Sequence, residues 1–365
     1  MIKFLDLYKQ DKKLHKSILK EINNLFKKGD YILGSKVEVF EKNFAKFCGS
    51  KYAIGCANGT DALTLALKSL NLPKNSEVII PAMTYCSTAF SVIEANLKPI
   101  LVDTDKLSPN ISVHELKKKI SKKTKVILPV HLYGSVSNLK EIKKIIKNKK
   151  IFLIDDCAQA HGAVDDSEKN SHKKIGSTTD ISCFSLYPGK NLGAYGDAGI
   201  ITTNNNLFNK KIRKLRNLGS EKKFIHDTVG LNSRLDTIQA IILNKKLKNL
   251  TKYNVKRRKI ASFYSKNIIN PKITKINYSK SCVHHQYLIL IKNRNNLIKL
   301  LKNKKIQFGF HYPYAIHQLS VFRKRYKNKH FKNAEIIAKN SISLPIDPNL
   351  SKKELNYIVK TLNEF

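Results

Sequence analysis

Along residues 11–28 the apolar positions Leu14, Ile18, Leu19, Ile22, Leu25 and Phe26 recur at helical spacing, and Gly29 supplies a stop. After a tight apolar loop, Tyr31-Ile32-Leu33-Gly34, a second amphipathic helix carries Val37, Phe40, Phe44 and Phe47 and ends near Gly49. The pattern then changes. Short apolar runs at 52–56, 77–81, 99–102, 125–130 and 151–155 predict strands, and helical patterns fall near 86–95, 113–120 and 138–147. Such alternation predicts an α/β domain with a mainly parallel sheet covered on both faces. A strand at 199–203, a helix at 207–218 and a helix entry within 230–240 continue it. From about residue 250 the chain turns to long basic helices with a few strands, including 286–291 and 306–310. The expected division is a large domain, 1–249, and a smaller C-terminal α+β domain, 250–365.

Composition narrows the class. A chain of 365 residues with 42% apolar content can bury a large core. The first residues, Met1-Ile2-Lys3-Phe4-Leu5-Asp6, carry charges where a signal peptide needs an apolar stretch, and no apolar run approaches a membrane span. Both features lead us to expect a cytoplasmic protein. The six cysteines, Cys48, Cys56, Cys86, Cys157, Cys183 and Cys282, include no Cys-x-x-Cys pair and sit mostly in apolar segments, which predicts buried thiols and no metal site. The formal charge of +41 would ordinarily suggest a nucleic-acid partner. The lysines are instead spread along the whole chain among Asn and Ile, with no basic arm, so specific nucleic-acid binding is not expected. The same charge would favour an anionic nucleotide substrate.

Three stretches carry candidate chemistry. In Phe184-Ser185-Leu186-Tyr187-Pro188-Gly189-Lys190, followed by the glycine-rich run to Gly199, a strand gives way to a loop bearing one lysine. A lysine shielded there can lose its proton and attack a carbonyl, as in Schiff-base capture of pyridoxal phosphate. In Ala57-Asn58-Gly59-Thr60-Asp61 a strand ends in a turn that opens a helix, which makes an anion site from free N–H groups, although Thr60 or Asp61 would serve equally as a cap. In Phe152-Leu153-Ile154-Asp155-Asp156-Cys157-Ala158-Gln159 two carboxylates end an apolar strand, a costly arrangement unless each finds a partner. Capping of the next turn and pairing with a cofactor cation both account for them.

Together with Asn232-Ser233-Arg234-Leu235-Asp236, Gln239 and His311-Tyr312-Pro313, these segments resemble the DegT/DnrJ/EryC1/StrS family of sugar aminotransferases over nearly the whole chain. The resemblance implies the pyridoxal-phosphate transferase fold of type I and a homodimer with shared sites. It implies that Lys190 binds the cofactor covalently and then moves the proton, that Asp156 pairs with the ring nitrogen, and that Gln159 bonds the ring's phenolic oxygen. Tyr85 would stack on the ring, and Gly59, Thr60 and Ser185 would hold the phosphate. Asn232 would reach that phosphate from the partner subunit, and Arg234, His311 and Tyr312 would cross the interface to a sugar nucleotide. Arg234 could instead pair with Asp236, and His311 could be a satisfied core histidine. The implied reaction carries an amino group from L-glutamate to a nucleotide-linked keto sugar, a 3-ketone being favoured over a 4-ketone. A catalytically silent or regulatory protein on the same fold is the other reading. Relatives with histidine in place of the lysine are dehydratases; Lys190 argues against that outcome. The stretch 165–172 looks longer than the usual loop there.

Overall fold

The computed structural model describes residues 1–165, 173–222 and 224–365, so all but one residue of the long stretch at 165–172 lies outside it. Its centre is a sheet of seven strands: β1 Tyr52–Cys56, β2 Glu77–Pro81, β3 Lys98–Val102, β4 Thr124–Ile127, β5 Phe152–Asp156, β6 Ile181–Ser185 and β7 Gly199–Thr203. Their spatial order is β1-β7-β6-β5-β4-β2-β3. β7 runs antiparallel to β1 and β6, and every other pair is parallel. Two antiparallel steps restore direction, so β1 points the same way as β2, β5 and β6. The carboxyl ends of these strands therefore share one edge of the sheet, where ligands of open α/β sheets bind.

Alternation along each strand divides the core in two. Val78 and Ile80 of β2, Ile154 of β5 and Ile201 of β7 face one cluster, whereas Ile79, Leu153 and Ile200 face the other. Helices α1 His15–Lys28, α2 Ser35–Cys48, α3 Gly59–Ser69 and α4 Cys86–Glu94 follow the expected spacing. Leu65 of α3 and Val92 of α4 fill the first cluster; Phe40 and Phe44 of α2 fill the second. The Phe44 ring meets Phe184 of β6 edge-on at 5.1 Å, and burying each such ring contributes about 1.5–3 kcal/mol. Gly29 and Gly49 end α1 and α2 at φ of 67° and 78°, left-handed values that a Cβ would strain.

A third core gathers around β8 Thr274–Lys275, β9 Tyr287–Leu290 and β10 Ser341–Leu344. Helix α5 Leu250–Asn267 brings Ile260 and Tyr264 to it, and the terminal helix Lys352–Asn363 adds Ile358 and Leu362. Ile2 joins from the other end of the chain.

The structure departs from the expectations in three places. The first helix is broken: Leu7–Asp11, capped by Asp6 through the Lys9 amide, precedes α1 and is separated from it by a turn. β4 stops at Ile127, three residues early, since Pro129 has no N–H to continue the ladder. The segment 306–310 is no strand; Ile306 meets Ile2 and Gly309 meets Ser343 at single bridges, so no ladder forms. All six cysteines are free, and all but Cys86 are buried. No described helix is long and apolar enough to cross a membrane.

Candidate active site

At the shared carboxyl edge lies a cavity of about 840 Å³. Its floor and one wall come from four strand ends. Gly59 and Thr60 follow β1, Tyr85 follows β2, Asp156 ends β5 with Gln159 after it, and Ser185 ends β6 with Lys190 after it. Residues 59, 156 and 190 meet because sheet order, not sequence, sets their distance.

Asp156 is the buried acid of the cavity. Its Oδ2 accepts from the Thr88 hydroxyl at 2.9 Å and its Oδ1 from the Ala158 amide at 3.1 Å. Burial raises its pKa, and those two bonds and the nearby Lys190 charge oppose the rise. Asp155 points the opposite way, as strand alternation requires. It is fully buried against His131 Nε2 at 3.0 Å and the Thr179 hydroxyl at 2.7 Å. Burial alone would raise its pKa, yet the bonds led by His131 hold it low. His131, Asp155 and Cys157 are close enough to hold a metal ion, but both imidazole nitrogens are engaged, the second by the Ser137 amide at 3.0 Å.

Lys190 sits on a loop folded back on itself, its amide donating to the Tyr187 carbonyl at 2.9 Å and the Ala194 amide to Leu186 at 2.8 Å. Burial lowers its pKa to about 8, with Asp156 pulling the other way. A fair share of its amine is thus neutral and nucleophilic near physiological pH.

One end of the cavity is built on the start of α3. Asn58 caps the helix by accepting from the Asp61 amide at 2.8 Å. A Cβ on Gly59 would lie 2.5 Å from the Ser185 Cβ, so glycine is what lets β6 close on the helix start. Thr60 donates its hydroxyl to Ser87 at 2.8 Å. The helix start with its dipole, and Thr60, Ser87 and Ser185 with their hydroxyls, thus line this part of the cavity.

Gln159 bridges two parts of the chain: Oε1 accepts from the Tyr133 amide at 2.6 Å and Nε2 donates to the Tyr312 hydroxyl at 2.8 Å. The Tyr85 and Tyr312 rings lie 5.3 Å apart at the mouth. His311 Nδ1 pairs with the Ser343 hydroxyl at 2.8 Å, and burial, then Lys190, lowers its pKa to about 4.

His311 and Tyr312 line the cavity of the chain itself. The Tyr133 hydroxyl, donating to the His311 carbonyl, and Gly309, bridging Ser343, draw this loop over the sheet edge. Asn232 is exposed and Arg234 donates to Asn217 Oδ1 at 3.2 Å, not to Asp236; neither lines this cavity. Sequence reading missed Thr88, Ser87, Arg257, His285 and Gln286. Thr84 and Thr88, four apart across a helix start, and Arg257, in register with buried Ile260, Ala261 and Tyr264, were the available signals.

An amine of lowered pKa, a buried carboxylate, a polar cup at a helix N-terminus and an aromatic lid fit pyridoxal phosphate. Such a set on a seven-stranded, mainly parallel sheet defines a pyridoxal-phosphate-dependent aminotransferase of fold type I. The family comparison agrees: residues 12–363 match the DegT/DnrJ/EryC1/StrS aminotransferase family, and the chain belongs to it. It is 39% identical to the dTDP-3-amino-3,6-dideoxy-alpha-D-galactopyranose transaminase of Aneurinibacillus thermoaerophilus, covering 100% of this chain and 99% of that one. It is 33% identical to the UDP-N-acetyl-3-dehydro-alpha-D-glucosamine 3-aminotransferase of Acidithiobacillus ferrooxidans, over 99% and 97% of the two chains. The crystal structure of S. venezuelae DesV, solved with a ketimine intermediate, superposes with a TM-score of 0.95 at 31% identity, over 100% and 98% of the chains.

Proposed function

We propose that this aminotransferase carries the amino group of L-glutamate to a nucleotide-linked keto sugar, a UDP- or dTDP-3-keto sugar, for amino-sugar and cell-surface polysaccharide biosynthesis in the cytoplasm. The observation that carries the reading is the meeting of Lys190 and Asp156 in a cavity large enough for a cofactor and a sugar. The 3-amino and 3-dehydro groups in the names of the two relatives support the ketone position.

Pyridoxal phosphate, when bound, supplies an electron-withdrawing ring that lets a C–H bond beside nitrogen break. The chain's own residues do the rest. Asp156, held by Thr88 and Ala158, would pair with the ring nitrogen. The Lys190 amine would serve as the base and acid that moves this proton. The cup at Gly59, Thr60 and Ser185 fixes the phosphate, and Tyr85 covers the ring. Across the interface of a homodimer, Asn232 completes the phosphate site and Arg234 meets the nucleotide. Residues 1–249 form the large cofactor-binding domain and 250–365 the small C-terminal domain.

The test is a panel of 3- and 4-keto sugars on both nucleotides with glutamate as donor, the amine being read by mass spectrometry. Amination of a 3-keto sugar by the native enzyme and none by Lys190→Ala is expected. Amination of 4-keto sugars alone would overturn the ketone position. A cofactor band that glutamate never bleaches would leave the catalytically silent reading.

A further inference from the structure

The residue after Lys190 is a buried polar one. Lys190 lines the cavity, whereas Asn191, 3% exposed, turns into the packed interior behind the loop. Burying an amide is costly unless its donors and acceptor are used, and those of Asn191 are. Its Nδ2 donates to Asn254 Oδ1 at 3.0 Å and to the Val283 carbonyl at 3.1 Å, and its Oδ1 accepts from His285 Nδ1 at 3.2 Å. A carbonyl can only accept, so the Val283 contact fixes which way round the amide lies. His285, which burial keeps neutral, must then carry its proton on Nδ1.

These partners come from parts of the chain remote from the lysine. Asn254 lies on α5, and Val283 and His285 lead into β9. Both groups are fastened in turn to the loop after β5. Asn254 Nδ2 donates to the His161 carbonyl at 2.7 Å. The His285 amide donates to the Tyr133 carbonyl at 2.8 Å, and the Tyr133 amide donates to Gln159 Oε1 at 2.6 Å. Two routes therefore run from Asn191 to the loop that follows Asp156, one through Asn254 and one through His285. The bonds from Lys190 to Tyr187 and from Ala194 to Leu186 close the lysine's own turn, and the Asn191 side chain joins that turn to the other loop.

We propose that Asn191 is a positioning residue for Lys190: held by Asn254, Val283 and His285, it sets where the lysine side chain enters the cavity relative to Asp156. This rests on the cofactor assignment above and not on the identity of donor or sugar. Any slack behind the turn is passed directly to the amine. A misplacement of about 1 Å at a reacting group costs on the order of 100-fold in rate.

The test uses the whole chain freed of cofactor, native and as Asn191→Ala and Asn254→Ala, titrated with pyridoxal phosphate and with pyridoxamine phosphate. The two share ring and phosphate, but only the aldehyde bonds to Lys190, so displacement of the lysine alone separates them. Asn191→Ala should weaken pyridoxal phosphate roughly tenfold or more and leave pyridoxamine phosphate within about threefold of native. Asn254→Ala should show the same selectivity to a smaller extent, and the double variant should match Asn191→Ala within about threefold, since the two residues act through one bond. With cofactor bound and glutamate saturating, bleaching of the cofactor band should slow roughly 10- to 100-fold in Asn191→Ala while the half-saturating concentration holds. Equal losses for both cofactor forms would mean that Asn191 merely supports the pocket, and unchanged pyridoxal phosphate affinity would mean that Lys190 is placed without it; either result overturns the proposal. If Asn191→Ala does not fold by circular dichroism, Asn254→Ala decides by the same criteria. Failure of glutamate to bleach the native enzyme would strike the donor instead, while the two titrations still decide the role of Asn191.

Discussion

The Thr88 hydroxyl, in the first turn of α4, donates to Asp156 Oδ2 at 2.9 Å at the end of β5, and Thr84 stands behind it at 2.9 Å. A carboxylate buried this deeply is pushed toward its neutral form, and the bonds from Thr88 and the Ala158 amide resist. Only the ionised form attracts a protonated ring nitrogen.

Thr88→Val keeps the shape and removes the donor, so Asp156 should shift further toward neutrality. A lost hydrogen bond to a charged group is worth about 1.5–3 kcal/mol, which predicts roughly 10- to 100-fold weaker retention of pyridoxal phosphate. Thr88→Ser should restore most of it. Fluorescence titration of the cofactor-free protein measures this, with circular dichroism to confirm the fold. Native affinity in Thr88→Val would mean the Ala158 amide suffices.

Gly59 and Ser185 give a second prediction. An alanine at 59 puts its Cβ 2.9 Å from the Ser185 backbone Cα, which no rotamer change relieves. Overpacking of this kind costs about 1–3 kcal/mol and should lower the melting temperature by several degrees. The wedge falls between the two halves of the phosphate cup, so the damage should be selective. Gly59→Ala should lose affinity for pyridoxal phosphate but not for pyridoxal, which has no phosphate. An equal loss for both would place the phosphate elsewhere.

Lys190, Asp156 and the Gly59-Thr60 turn were legible in the sequence because each is announced locally, at or just after the end of an apolar strand. Thr88 was not, because its value lies in reaching a partner 68 residues away, and that distance is closed only by the order of strands in the sheet. Arg257 was hidden by abundance: in a chain with 68 basic residues, one buried arginine looks like the exposed ones. The loop at His311 and Tyr312 was legible too, through its motif, and it lines the cavity. The segment 306–310 carries strand-like residues, yet its neighbours each touch it once.

The coupling of Lys190 to Asp156 has a sign that pH can reveal. The neutral amine is the form that captures an aldehyde, so capture of pyridoxal phosphate by the cofactor-free protein should rise with pH. Its midpoint should lie near the lowered value of about 8 rather than the ordinary 10.5. At pH 7 that leaves about one amine in ten neutral, against about one in three thousand for an unperturbed lysine. Burial lowers the pKa and the Asp156 charge raises it. Asp156→Asn removes the raising influence alone, so its midpoint should fall below the native one even though the ring has lost its partner and binds less tightly. Mass spectrometry of borohydride-trapped adduct against pH measures both midpoints. A native midpoint near that of free lysine would mean the amine is solvated, and an upward move in Asp156→Asn would reverse the electrostatic relation between the two residues.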